Sequence, residues 1–447
     1  MRLPTRGKAD DATSDQLLQT AGRAYSCIPR ETMRVLILHM RYWPEATGTG
    51  PLVTELAEDL ATAGENVVVV TSEPHYGLQE IPAEFRGGLI HRTMKSGVTV
   101  YRTWAPVAHV GSALGRGLDY AAYTVLASLA AISLGPVDII LCVAPPVTVG
   151  FSGWVVSLLR KCPMVFNAQD IWPDGLISMG RIQSRILIAA FGRIERLVYR
   201  ASSRITVVSE EMRQNVMSKG VAAGRVEVIP NWVDTERVHP VEGPNPFRNE
   251  LGLDGSFVVL FAGNVGYAAG LDSVLAAAGL LRSERRMCFL IVGEGSAKAD
   301  LLRAAEREGL TNVRFLPTQP SEVFSSLLGA GDVGLVPLRE GMGALSVPSK
   351  AYAIMAGGRP ILAAVPTDSD VRRLVAEAGC GVCVPAEDPQ ALAAAVLRMA
   401  SEPDKLKEYG RSARSYVVER YSRAIMTSRY RKLLGEVIEA GKRTGDP

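Results

Sequence analysis

The feature that most constrains the fold is an alternation of short β-branched runs with helical stretches, which occurs twice along the chain. Such runs are typical of buried parallel strands in a sheet that helices cover on both faces. The first series is MRVLILHM, NVVVVTS, VTVYRTW, DIILCVA, MVFNAQD, RITVVS and VEVIPN; the second is SFVVLFAGN, CFLIVGEG, VRFLP, DVGLVPL, PILAAV and GVCVP. We therefore predict an α/β protein with two doubly wound parallel-sheet domains, and ligands at the carboxyl ends of their strands, in the cleft between them.

A polar, proline-rich stretch at 235–250, TERVHPVEGPNPFRNE, separates the two series and has the composition of a linker. The start of the chain is polar and of mixed charge, so we expect a loose extension there rather than a signal peptide. A last helix, predicted from about Ser412 to Ala440, has no strand after it and could pack back across the cleft. The predicted segments are an extension at 1–32, a first domain at 33–232, a linker at 233–250, a second domain at 251–410 and a C-terminal helix at 411–447.

Composition excludes several classes of protein. With 447 residues, 47% of them hydrophobic and 21% charged, the chain is long and apolar enough for two cores. A net charge of +3 without a cluster of basic and aromatic residues argues against nucleic acid as a partner. Six scattered cysteines favour a reducing cytoplasm.

Metal ligands are poorly represented. The five histidines show no HxxxH spacing, and Cys380 and Cys383 form a C-x-x-C without a second pair, which we assign to strand packing. Asp368 and Asp370 form a D-x-D just before a helix, where carboxylates more often act as caps and dipole partners than as ligands of a divalent ion. We predict no metal site and no cofactor.

Two helical stretches bear on membrane contact. The run YAAYTVLASLAAISLG from Tyr120 is too short to span a bilayer, and we predict a buried helix. The stretch GRIQSRILIAAFGRIERLVYRASSR is either a helix on the membrane surface or a packed helix with a solvated basic edge. Its arginines are Arg181, Arg185, Arg193, Arg196, Arg200 and Arg204.

Glycine loops follow several of the predicted strands: HMRYWPEATGTGP, FAGNVGYAAG and VGEGSAK. None matches GxGxxG or GxxxxGK[ST], so neither a dinucleotide fingerprint nor a P-loop is indicated. In VPSKAYAIMAGGRP, Pro348 and Ser349 have the pattern of a helix start, yet Lys350 places a cation at the positive end of the helix dipole. A bound anion would turn this unfavourable placement into a favourable one.

Carboxylates occur at one strand end. Asp170 and Asp174, in FNAQDIWPDG, lie where the predicted strand ends at the cleft. They could position a substrate hydroxyl, or they could cap the following turn.

Taken together, VVSEEM, VIPNWVD, FAGNVGYAAGLD, LIVGEGSAK, VRFLPTQP, AGDVGLVPL and PSKAYAIMAGGRPIL resemble a retaining glycosyltransferase of family four with the two-domain GT-B fold. The resemblance extends from Met33 to about Leu434. Within the family, the chain looks most like the bacterial branch that builds lipid-linked precursors of O-antigen, capsule or exopolysaccharide.

The resemblance implies two Rossmann-like domains, with a nucleotide-sugar donor bound mainly by the second and a lipid-linked glycan acceptor bound mainly by the first. It also implies front-side attack with retention of configuration, without a metal, in which the leaving diphosphate takes the proton of the acceptor. Lys350 would hold the diphosphate of the donor, and Lys350 and Asp170 are the implied catalytic residues. Asp170, Trp172 and Asp174 would contact the acceptor. The implied donor-binding residues are Gly48, Gly50, Gly263, Asn264, Gly266, Gly293, Glu294, Gly295, Phe315, Leu316, Pro348, Ser349 and Lys350.

The chain departs from the family at a pair of glutamates that are separated by seven residues, the second of which grips the ribose in many members. Leu345 and Ala353 occupy these positions, and Glu340 in REGMG is offset from them. Two alternatives therefore stay open: a non-catalytic GT-B scaffold subunit, and a sugar-nucleotide epimerase of the same fold. The expected location is cytoplasmic, with possible peripheral contact with the inner face of the cytoplasmic membrane.

Overall fold

The computed structural model describes residues 32–45, 48–75, 81–106, 113–170, 184–342 and 349–444. The first of its two sheets has eight strands in the order β3-β4-β2-β1-β5-β6-β7-β8. Its pairs are parallel except for β3 with β4. The strands are β1 Arg34–Leu38, β2 Asn66–Ser72, β3 Ile90–Lys95, β4 Val98–Thr103, β5 Ile139–Val143, β6 Met164–Ala168, β7 Arg204–Val207 and β8 Val226–Val228.

The second sheet has six strands, all parallel, in the order β11-β10-β9-β12-β13-β14. Both sheets change direction of winding at their first strand, which is the doubly wound arrangement predicted from the alternating runs. The strands are β9 Phe257–Ala262, β10 Met287–Val292, β11 Val313–Leu316, β12 Val333–Pro337, β13 Ile361–Ala364 and β14 Gly381–Val384.

Helices cover both faces of each sheet, and four apolar clusters fill the layers between them. The central strands β5 and β10 are buried along their whole length, which explains their unbroken apolar sequences. The helices of the first domain are α1 Gly50–Thr62, α2 Ala113–Ser133, α3 Thr148–Arg160, α4 Arg185–Ala201 and α5 Glu210–Ser218. Those that follow are α6 Pro246–Glu250, α7 Leu271–Leu280, α8 Lys298–Arg307, α9 Phe324–Ala330, α10 Ser349–Ala356, α11 Asp370–Ala378, α12 Pro389–Ala400, α13 Pro403–Tyr421 and α14 Arg423–Thr444.

The predicted last helix is in fact two helices, so the prediction of a single helix from Ser412 to Ala440 is wrong. The backbone of Ser422 is extended and forms a bridge with Val233, whose amide and carbonyl bond to residues on either side of the break. The second of these helices, α14, crosses back to the first domain, as expected. There Arg423 donates to Asp59 of α1 at 2.6 Å.

Helix α2 contains the apolar run from Tyr120, and the prediction that it is a buried helix is wrong for one of its faces. Tyr123 and Ala127 are buried in the first domain, but Leu118, Val125 and Leu129 are exposed. Among the described residues, no helix is both long enough and apolar enough to cross a bilayer.

Candidate functional site

Two glycine loops of the second domain lie against each other at the carboxyl ends of β9 and β10. Gly263 and Gly293 have φ angles of +143° and +142°, a backbone conformation that residues with a side chain rarely adopt. A Cβ on Gly293 would lie 1.9 Å from the carbonyl oxygen of Gly263, and one on Gly295 would lie 2.3 Å from that of Val265. Glycine is therefore required here by close backbone approach. The loops are joined by hydrogen bonds from Gly263 N to Val292 O (2.9 Å) and from Val265 N to Glu294 O (2.8 Å).

Lys350 lies beside these loops, at the second residue of α10. A Cβ on Gly263 would lie 2.4 Å from Lys350 Cε, so the lysine stem packs directly against the loop. Its Nζ is 4.2 Å from the ring centroid of Phe261, the penultimate residue of β9. Within the described part of the chain no carboxylate pairs with this ammonium, and burial lowers the pKa of Lys350 to about 8. A cation in this setting is stabilised only weakly by the protein itself.

Other predicted donor residues lie in the same glycine loops, at the neighbouring strand end of β11 and at the start of α10. Glu294 accepts a hydrogen bond from Lys298 Nζ at 2.7 Å, and Lys298 also donates to the carbonyl of Leu316 at 3.2 Å. Phe315 and Leu316 are half-buried at the end of β11, and Ser349 is exposed at the start of α10. The side chain of Asn264 extends from the first loop toward the second: its Oδ1 lies 2.6 Å from where a Cβ of Gly295 would be. Its Nδ2 lies beside Gly266, in its own loop. Pro348 is outside the described residues.

The facing part of the site belongs to the loop after β1. His39 is buried; its Nδ1 lies 2.8 Å from the carbonyl oxygen of Val143 and its Nε2 lies 2.8 Å from the hydroxyl of Thr49. Burial lowers the pKa of His39 to about 4, so the ring is neutral at physiological pH. It anchors Thr49 between Gly48, whose φ is +69°, and Gly50, the first residue of the 13-residue helix α1.

Among the described residues, the nearest neighbours within 4 Å of a Cβ placed on Gly48 or Gly50 include no atom of the second-domain loops. The nearest described neighbours of a Cβ added to Gly48 or Gly50 are Arg41 and Glu45, which belong to the same loop.

Asp170 lies two residues beyond the end of β6, as predicted. The residue is exposed to solvent, but the protein around its carboxyl group removes part of the water shell and so raises the pKa of that group. At the same strand end, Gln169 donates to Asn167 at 2.8 Å, and Asn167 donates to the hydroxyl of Tyr430 in α14 at 2.7 Å. Trp172 and Asp174 lie outside the described residues.

The two domains also meet directly, through α5 and α11. Arg373 of α11 donates to Glu211 of α5 at 2.9 Å, and it also pairs with Asp370 one turn earlier. Burial, together with the neighbouring Glu211 carboxylate, raises the pKa of Asp370 to about 7. A cavity of about 140 Å³ opens next to this contact and is lined in part by Tyr352 of α10. The cavity therefore borders both the first domain and α10, the helix that carries Lys350.

Sequence reasoning missed three of these features. The burial of His39 and its bond to Thr49 follow from the β1 loop folding back on β5, and the only sequence signal was a histidine directly after an apolar strand. Phe261 under Lys350, and Glu211 opposite Arg373, are long-range pairs without a local signal. Among the residues that the structure describes, no group of three or more His, Cys, Asp or Glu side chains is placed to hold a metal ion.

Comparison with known proteins identifies the family. Residues 47–232 match the glycosyl transferase 4-like domain, and residues 256–402 match the glycosyl transferases group 1 domain. The chain is 30% identical over 376 residues to WcaI of Escherichia coli, named as a glycosyl transferase of colanic acid biosynthesis, covering 81% of this chain and 91% of that protein. The chain belongs to the family-four glycosyltransferases.

A further relative and a solved structure are also similar to this chain. WbjE of Pseudomonas aeruginosa, named as a probable glycosyltransferase, is 31% identical over 278 residues, which cover 61% of this glycosyltransferase and 69% of WbjE. The crystal structure of HepE from Anabaena in complex with UDP-glucose superposes with a TM-score of 0.68 at 16% identity, covering 90% of this chain and 100% of HepE. The predicted GT-B fold is thereby confirmed.

Proposed function

We propose that this glycosyltransferase moves a sugar from a nucleotide-sugar donor, with retention of configuration and without a metal ion, to a lipid-linked glycan acceptor. The acceptor class is a polyprenyl-diphosphate-linked precursor of a cell-surface polysaccharide, met at the cytoplasmic face of the membrane. The names of WcaI and WbjE support the transferase chemistry, and the UDP-glucose complex of HepE supports a nucleotide-sugar donor.

One observation carries the proposal: the half-buried ammonium of Lys350, without a carboxylate partner among the described residues, at the N-terminus of α10. The backbone of Gly263 packs directly against the lysine stem, and that of Gly293 packs against Gly263. Amides at a helix N-terminus and a cation together bind an anion such as a diphosphate. The same anion would restore the favourable charge environment that Lys350 lacks.

Stabilising the leaving diphosphate is the main electrostatic task in this reaction. Lys350 would neutralise the charge that develops on the departing phosphate, while the leaving phosphate accepts the proton of the acceptor hydroxyl. Asp170, at the first domain's strand end, would orient that hydroxyl. Gly48 and Gly50, at the start of α1, would complete the diphosphate site after domain closure.

The test is calorimetric titration of UDP, GDP and a panel of their sugar conjugates, with a chelator present, against wild type, Lys350→Ala and Lys407→Ala. Lys407 is exposed on α13 and pairs with Asp404 at the surface, so it is the matched control for loss of a lysine. We expect one nucleotide to bind, Lys407→Ala to match wild type, and Lys350→Ala to lose on the order of 1.5–3 kcal/mol, as for a hydrogen bond to a charged group.

Turnover is then measured with the donor so identified and polyprenyl-diphosphate-linked acceptors in detergent, with the anomeric configuration of the product read by NMR. Inversion of configuration, or activity that disappears with the chelator, would refute the proposed mechanism. Binding of a nucleotide sugar without transfer to any acceptor would instead favour the scaffold alternative.

A further inference from the structure

Helices α2 and α3 present a continuous apolar face to solvent. They pack side by side, with the hydroxyls of Thr124 and Thr148 2.9 Å apart and Ser152 donating to the carbonyl of Thr124 at 2.9 Å. Helix α4 lies on the other side of α3, since a Cβ on Gly150 would lie 2.4 Å from Val198. Seven of the sixteen large apolar side chains that are exposed in the described residues lie on these three helices: Leu118, Val125, Leu129, Phe151, Leu158, Leu159 and Ile186.

The spacing of these residues shows that they form a surface and are not scattered. Positions 118, 125 and 129 of α2 fall on one helical stripe, as do positions 151, 158 and 159 of α3. Their exposed fractions run from 38% for Phe151 to 81% for Ile186. Single exposed apolar residues are normal, but a contiguous group of this kind marks an interaction surface.

The charges around this face have one sign. The carboxylates on the three helices, Asp119 and Glu195, are both buried. Asp119 contacts His75 at 3.0 Å, and Glu195 contacts Lys219 at 2.7 Å, so neither offers free negative charge to solvent. The exposed charged side chains described on these helices and at the end of α3 are all cationic: Lys161, Arg193, Arg196 and Arg200. An apolar face with a cationic border is complementary to a bilayer with anionic headgroups.

The face begins at the catalytic cleft. Asp119, next to Leu118 in sequence, contacts His75, which lies three residues beyond the end of β2 and thus at the carboxyl edge of the first sheet. Helix α2 runs from this edge toward the opposite end of the domain, where β5 begins. A bilayer against α2 and α3 would therefore lie beside the part of the cleft where the acceptor is expected.

We infer that the α2–α3 face docks on an anionic lipid surface, with the apolar side chains in the headgroup region and the arginines of α4 on the phosphates. The inference deepens the proposed function and rests on it, because docking would bring a lipid-linked acceptor to the cleft. It also revises the role of the basic helix, which supplies the charged border of the docking surface while α2 and α3 supply its apolar centre.

Vesicle flotation of the full chain tests this inference, with phosphatidylcholine vesicles and with vesicles rich in phosphatidylglycerol. Four proteins are compared: wild type, Leu158→Glu/Leu159→Glu, Arg193→Glu/Arg196→Glu, and the control Leu280→Glu/Leu397→Glu. The control leucines are similarly exposed, at 52% and 41%, but lie on α7 and α12 of the second domain. Circular dichroism and nucleotide titration confirm that each variant is folded.

We expect wild type and control to float with the anionic vesicles. The Leu158/Leu159 variant should lose membrane partition on the order of tenfold or more, because two apolar side chains that would enter the bilayer become charged. The Arg193/Arg196 variant should lose the preference for anionic over neutral vesicles and the sensitivity to salt.

Absence of wild-type flotation, or equal flotation of the Leu158/Leu159 variant and the control, would overturn the inference. A concentration-dependent dimer in light scattering that the same leucine substitutions abolish, without vesicle binding, would assign the face to a second copy of the chain. Since nucleotide binding is measured in solution without lipid, the donor site of the proposed function stands or falls independently of these results.

Discussion

Replacing Lys350 by methionine should make the protein more stable while abolishing donor binding. The lysine stem packs on Gly263, and its Nζ lies over the Phe261 ring without a carboxylate partner among the described residues. Methionine has a similar length, and its thioether makes favourable contact with an aromatic ring. The substitution therefore removes a desolvated charge and keeps the packing.

The size of the effect follows from the pKa. Burial lowers the pKa of Lys350 from 10.5 to about 8, and about 1.4 kcal/mol per pKa unit sets an upper bound of about 3.5 kcal/mol on the cost of the charge. Because the side chain keeps some contact with solvent, we expect a gain of about 1–3 kcal/mol, or several degrees in the unfolding midpoint. The native pKa is below the unfolded one, so the cost is complete below pH 8 and disappears as the pH rises from about 8 to 10.5.

The assay is thermal and denaturant unfolding of wild type, Lys350→Met and the surface control Lys407→Met at pH 7 and near pH 10. We expect a gain for Lys350→Met at pH 7 that shrinks near pH 10, and no comparable change for Lys407→Met. Adding the nucleotide should stabilise wild type but not Lys350→Met. A loss of stability at pH 7, or a gain independent of pH, would refute the view that Lys350 is an unsatisfied buried cation.

Three further predictions follow from titratable or charged groups. Donor affinity should fall as the pH rises above about 8, because binding requires protonated Lys350; titrations near pH 8.5 in buffers of different ionisation enthalpy should show proton uptake, and its absence would contradict this role. Arg423→Ala, which removes the contact with Asp59, should cost about 2–4 kcal/mol and speed hydrogen exchange in α14, whereas unchanged exchange would show that apolar packing alone holds the helix. Asp370→Asn should stabilise the contact between the domains by on the order of 1 kcal/mol at pH 8, where the ionised Asp370 carboxylate repels that of Glu211. At pH 5 the substitution should have no such effect, since the raised pKa keeps Asp370 protonated below about 7. Equal effects at both pH values would argue against this titration.

The strands could be predicted because buried parallel strands are apolar along their whole length. The exception is β3, which the alternating runs did not reveal. It is an edge strand that pairs antiparallel with β4, and its sequence IHRTMK alternates in burial without a continuous apolar run. The signal that could have found it is the turn: Ser96 and Gly97 both have positive φ, as in the two-residue turns that join hairpin strands.

Contacts between distant segments were beyond prediction for a different reason. Nothing near Ser422 breaks a helix locally; the chain bends there because Val233, far away in sequence, pairs with it. The contact between Arg373 and Glu211 joins residues 162 positions apart, and helical periodicity in one sequence does not indicate which faces of two domains meet. Such pairings are decided by the packing of the whole chain, which overrides local preference.

The unusual lysine in VPSKAYAIMAGGRP occupies a position that is unfavourable for a cation for two independent reasons. At the N-terminus of α10 the charge of Lys350 is unfavourable because of the helix dipole, and the structure adds a second unfavourable effect, desolvation against Phe261 and Gly263. Neither effect is offset by a carboxylate in the described residues, and the close loops at Gly263 and Gly293 have no space for a side chain that could supply one. A single anion from outside the chain would reverse both effects at once. Lys350 therefore lowers the stability of the second domain at the position where binding of a donor diphosphate would be most favoured by charge.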